Sequence, residues 1–173
     1  ALQTVMLIAA YFGESEILWD SQKSKTLGLI ISILLIQIVA IIGAIITTLA
    51  SEKYGNIKTL IAINLIWALI CIYAYFVKTP FQFYIAAGFV GMVMGGMQSL
   101  SRSTYSKLIP KTQNTTSFFS FYDVTEKIVI VIGMTAFGLI TQSSGGMRNS
   151  VFMFFILFLI AAFLLRKVNV SNK

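Results

Sequence analysis

The sequence predicts an all-α, polytopic membrane helix bundle with five full spans and one truncated span. Three observations carry that expectation. Of 173 residues, 57% are hydrophobic and only 11% are charged, less than half the roughly 25% of a soluble domain. Mean hydropathy is +0.86. The apolar residues fall in long runs broken by short polar turns, and about 20 such residues cross a hydrocarbon core about 30 Å thick.

Residues 1–12 would extend only about 18 Å as a helix. They read as part of a truncated span, and the chain as part of a longer protein. Gln3 is the polar residue of interest there. Residues 13–26 form a polar loop, with Trp19 suited to an interface. Residues 27–49 are a full span with Gln37 near the middle. Residues 51–58 (SEKYGNIK) are a tight basic turn. The next spans are 59–77 and 81–108, separated by a short turn at Lys78 with Tyr and Phe on both sides, like an interfacial belt. A loop over 109–117 leads to the span 118–141. After a QSSGG turn, 149–165 is an almost entirely apolar span. All six belong to one domain, since no soluble insertion separates them.

Lys and Arg in the loops set the orientation. One side holds Lys53, Lys58, Arg102, Lys107, Lys111, Arg166, Lys167 and Lys173; the other holds Lys23, Lys25, Lys78 and Arg148. The richer side is expected to be cytoplasmic, with the C-terminus inside. The net charge of +7 is then topological; with no basic–aromatic cluster beside it, no nucleic-acid partner is expected. The chain has no His and one Cys, Cys71. That excludes a disulfide within the chain and the usual Cys/His zinc sites. No metal, cofactor or enzymatic activity is expected.

The stretch 88–129 concentrates the informative residues. Ala87, Gly91, Gly95 and Ser99 recur every fourth position, a single helical stripe. Small residues let helices approach closely in a bilayer. Beside it, Gln98, Ser101, Arg102 and Tyr105 share an arc of about 100°. In the following span Asp123, Glu126 and Lys127 share a similar arc. Lys127 lies about 15 Å into that span, where ionisable groups are functional candidates. Two readings compete for these charges. One is an i,i+4 ion pair between Asp123 and Lys127. The other is a solute site, with Lys127 for a carboxylate, Asp123 or Glu126 for an amine, and Glu126 as carrier of a coupling proton. Gln3, Gln37 and Gln98 are further binding candidates. Arg102 reads as a snorkelling cation or as a latch to Glu52 or Asp123. The first, second, fourth and fifth spans hold the polar residues, so they are expected to line a cavity, with the third and sixth outside.

The turn Thr48-Leu-Ala-Ser-Glu52-Lys53-Tyr-Gly55-Asn-Ile-Lys58 resembles the cytoplasmic motif Gly-x-x-x-Asp-Arg-x-Gly-Arg-Lys of the major facilitator superfamily. Glu52 stands for the Asp, Lys53 for the Arg, and Gly55 matches; Thr48 replaces the first Gly. The block Gly95-Gly-x-Gln98-Ser-Leu-Ser101-Arg102-Ser, then Leu108-Ile-Pro110, then Phe118-Phe-x-x-Tyr122-Asp123-Val-Thr-Glu126-Lys127 is similar to the vacuole-effluxer-like family. That family includes autophagy-related amino-acid effluxers of fungal vacuoles and many bacterial relatives. The resemblance implies a C-terminal six-helix half of a twelve-span transporter, working by alternating access. Its missing partner is the N-terminal half, its setting a bacterial cytoplasmic membrane. A lining with both signs of charge suits an amino-acid-like substrate, with a proton as the coupling ion. Glu52, Lys53, Gly55 and Arg102 are the gating candidates. The competing function is a non-transporting scaffold, for which the charges within the spans would be an unexplained cost.

Overall fold

The computed structural model describes residues 2–110, 115–144 and 146–167. These form six helices: α1 (Leu2–Ser15), α2 (Gln22–Tyr54), α3 (Asn56–Phe76), α4 (Pro80–Leu108), α5 (Thr115–Ser144) and α6 (Met147–Lys167). Helices α2 to α6 are each long and apolar enough to cross a membrane. Lys111 and Lys173, counted above for orientation, lie outside the described residues.

The helices overrun the expected spans at several ends, because polar residues continue a helix past the apolar core. The expected loop over 13–26 shrinks as α1 runs on to Ser15 and α2 begins at Gln22, capped by the Ser21 hydroxyl, which accepts from Ser24 N at 3.1 Å. The basic turn shrinks further. Gly55 alone separates α2 from α3, at φ 87° and ψ 151°, a conformation that glycine adopts without a Cβ clash. Its N–H donates to Ser51 O at 2.9 Å. Helix α4 starts with a capping box: Thr79 accepts from Gln82 N, Gln82 returns a bond, and Pro80 occupies the first turn, where its missing N–H costs nothing.

The tightest contact is between α2 and α4, which run parallel. A methyl built on Gly91 would lie 2.6 Å from Ile36 O. One built on Gly95 would collide with the Ala40 carbonyl, on Gly43 with the Met92 carbonyl, and on Gly96 with the Thr47 side chain. The expected stripe of Ala87, Gly91 and Gly95 therefore lies against α2. Ala87 and Gly91 are buried, while Ser99, one turn on, is exposed. α2 supplies a matching face of Ile36, Ala40, Gly43 and Thr47.

Helices α3 and α6 pack antiparallel. Trp67 stacks on Phe158 at 5.3 Å, and both are 1% exposed. Phe137 of α5 stacks on Phe154 of α6 at 5.8 Å, and Thr141 and Ser150 share a hydrogen bond of 2.7 Å. Burial within this chain does not follow apolarity. α3 is among the more buried spans and α5 is the least buried. Apolarity alone did not decide, since a bilayer and a helix neighbour are equally apolar to a leucine. α3 does leave an apolar face open, with Leu65, Ile66, Leu69 and Ile72 exposed. α2 leaves another, including Ile38, Ile41, Ile42 and Ile45.

Candidate functional site

The polar residues of α4 and α5 meet across a cleft of about 610 Å³. From α4 come Gly95, Met97, Gln98, Ser99, Ser101 and Arg102; from α5 come Tyr122, Thr125, Glu126, Val129 and Ile130. The α5 set has the i, i+3, i+4, i+7, i+8 spacing of one helical face. Ser99, expected to pack, instead lines this cleft.

The electrostatic centre is Arg102. Its Nη2 donates to Asp123 Oδ1 at 3.0 Å and lies 3.8 Å from Glu126 Oε2. The guanidinium sits 5.8 Å from the centre of the Tyr122 ring. Tyr122 in turn packs on Tyr105 at 4.9 Å, and the Tyr105 hydroxyl donates to Phe118 O at 3.0 Å. Long side chains thus bridge α4 and α5. Arg102 and Asp123 are 59% and 55% exposed, Glu126 only 26%. Ion pairs this open contribute little, roughly 0–1 kcal/mol. The bond is one that a competing charge can displace.

The other sequence candidates are dispersed. Asp123 pairs across to Arg102, and among the described residues no ion pair includes Lys127. The expected i,i+4 pair is absent because a guanidinium on the neighbouring helix reaches the carboxylate first. Lys127 is exposed and does not line the cleft, being one position beyond the face that Glu126 occupies. Gln37 is exposed on α2, away from the cleft. Gln3 falls in α1, and its side chain is outside the described ones. Glu52 and Lys53 are exposed beside Gly55. Arg102 reaches Asp123 and not Glu52.

Two clusters escaped the sequence reading. Asn56 donates to Thr104 Oγ1 at 3.2 Å and accepts from Lys107 Nζ at 3.3 Å, tying the Gly55 turn to the end of α4. At the opposite end Arg148 donates to Glu16 Oε2 at 2.9 Å, Glu16 O at 3.3 Å, Tyr75 O at 2.7 Å and Val77 O at 2.8 Å. One side chain thereby gathers the ends of α1, α3 and α6. Spacing could not announce it, since its partners lie 71 to 132 positions away. A separate apolar cavity of about 80 Å³, walled by residues such as Phe12, Trp67, Cys71 and Phe83, offers no polar group. Among the described residues no cluster of His, Cys, Asp or Glu could hold a metal ion.

Comparison with known proteins places these features among relatives. The family described as vacuole effluxer Atg22 like matches residues 1–173. An uncharacterized major-facilitator-type transporter, YxiO of Bacillus subtilis, is 34% identical over 139 residues, covering 80% of this chain and 32% of that protein. Autophagy-related protein 22 of Vanderwaltozyma polyspora is 33% identical, covering 93% of this chain and 32% of its own length. The Saccharomyces cerevisiae protein of the same name is 28% identical, over 99% of this chain and 34% of its own. The chain thus spans about a third of the length of these relatives. No solved structure matches it.

Proposed function

The chain belongs to the vacuole effluxer Atg22-like family, and from that premise we propose that it is the C-terminal six-helix half of a secondary transporter for small polar solutes, amino-acid-like ones above all. The observation that carries this reading is the α4–α5 cleft. The bundle opens there onto a guanidinium, a carboxylate, an amide and four hydroxyl side chains, with the Asp123 carboxylate bound to the guanidinium. Such groups are costly against lipid and useful against a solute carrying both charges. The substrate would sit between this half and a preceding N-terminal one, and the halves would rock about it. Glu126, the least exposed of the three charged groups, is the coupling-proton carrier in this proposal. The setting we propose is a bacterial cytoplasmic membrane with the Gly55 turn and the C-terminus inside.

The test is uptake of a pool of labelled amino acids into proteoliposomes holding the full-length protein, with and without a pH gradient. Gradient-driven accumulation is expected, and Glu126→Gln should abolish it while leaving exchange at equal pH measurable. Accumulation that survives the substitution moves the coupling proton elsewhere. No flux of any amino acid removes the substrate class.

A further inference from the structure

We propose that Arg102 is the receptor for a substrate carboxylate, which competes with Asp123 and Glu126 for its guanidinium. The proposal rests on the transporter reading above and assigns it a chemical trigger. Among the described residues lining the cleft, Arg102 is the sole cation. Lys127, the other basic residue of this region, lies off the lining face.

The guanidinium is poised for exchange. Its contacts to Asp123 and Glu126 both run through Nη2. Among the described residues, Nε and Nη1 donate no hydrogen bond. Both bidentate edges of a guanidinium include Nη2, so a free carboxylate that docks on Nη2 with Nε or with Nη1 must displace the contacts already there. Tyr122 lies against the guanidinium, a cation–π contact that holds it in place while partners change. The bond to be displaced is a half-exposed ion pair, weak by its exposure.

Displacement has a consequence on α5. With Arg102 engaged by substrate, Asp123 and Glu126, three residues apart on one helix, lose their shared counter-charge. Two adjacent carboxylates then attract an ammonium group. The ligand class this selects is a zwitterion, with the carboxylate on Arg102 and the cationic nitrogen towards Glu126. Loading the cleft and releasing the α4–α5 bridge become one event.

The experiment uses arginine modification by phenylglyoxal on the detergent-solubilised full-length protein, read peptide by peptide by mass spectrometry. Arg148, held in four hydrogen bonds at the other end of the bundle, is the internal reference. An equimolar pool of amino acids lacking arginine, raised to saturation, should slow modification of Arg102 about tenfold or more. It should leave Arg148 unchanged. The matching pool of decarboxylated amines should not protect. Uptake of the amino-acid pool without protection of Arg102 overturns this proposal and leaves the transporter reading standing. Absence of both uptake and protection removes the proposal together with the amino-acid substrate class. Equal protection by the amines also overturns it, since no carboxylate would be involved. Arg102→Lys keeps the charge and loses the fork, so the transport KM should rise about tenfold with kcat changed less. An unchanged KM would mean that Arg102 acts only as a bridge between helices.

Discussion

Replacing Gly91 by Ala isolates the packing of α2 on α4. The added methyl would lie 2.6 Å from Ile36 O and 3.0 Å from Ile36 Cα, against 3.4 Å for ordinary contact. Backbone atoms cannot rotate away, so the two helices must part locally by about 0.8 Å, as expected when a close-packed interior is overfilled. Overpacking of this kind costs about 1–3 kcal/mol. Helix propensity moves the other way, since Gly to Ala gains up to about 1 kcal/mol. Gly88, on the same helix, separates the two effects. A methyl there meets nothing within 4 Å. The difference between Gly91→Ala and Gly88→Ala should thus be the packing cost alone, about 1–3 kcal/mol. Cys71, the chain's single cysteine and 5% exposed, supplies the assay. Its labelling by a fluorogenic maleimide during heating reports unfolding. A difference of about 2–4 °C in midpoint per kcal/mol is expected, with Gly91→Ala melting lower. Equal midpoints for the two variants would refute the backbone contact.

Other expectations follow from the same geometry. Gly55→Ala forces an L-residue into positive φ and should cost about 1–3 kcal/mol, seen as a lower midpoint in the same labelling assay. Arg148→Met strips Glu16 and the Tyr75 and Val77 carbonyls of their shared donor. We expect a loss of about 2–3 kcal/mol, with Glu16→Gln milder because the amide still accepts. Phe158→Ala removes a ring that is 1% exposed and stacked on Trp67, and should cost about 3–5 kcal/mol by thermal or denaturant unfolding. A change below about 1 kcal/mol there would mean that α3 and α6 repack freely.

Much of the fold was legible because the bilayer reduces it to one dimension. Run lengths located five spans; the fourth was expected from 81, and the Thr79–Gln82 capping box starts α4 one residue earlier, at Pro80. The stripe of Ala87, Gly91 and Gly95 was visible as a packing face; its partner face of Ile36, Ala40, Gly43 and Thr47 steps by four, three and four along α2 and was not singled out. The site was half legible. Helical arcs gathered Gln98 with Arg102 and Asp123 with Glu126, yet they also admitted Lys127, because an arc of about 100° spans both the lining face and its edge. Whether Asp123 would choose Lys127 on its own helix or Arg102 on another is a matter of tertiary distance, which periodicity does not encode. Arg148 and Asn56 were hidden for the same reason. Each draws its meaning from groups remote in the chain.

The single residue between α2 and α3 acts as a mechanical constraint. Tyr54 and Asn56 are two Cα steps apart, so the joined ends of these helices can never separate by more than about 7 Å. They can pivot about Gly55, but no slack lets one travel without the other. Asn56 extends that tether to the end of α4 through Thr104 and Lys107. The connection from α4 to α5, over residues 109–114, is longer. At this same end the seam between α4 and α5 is bridged by side chains. Arg102 and Asp123 fasten that seam.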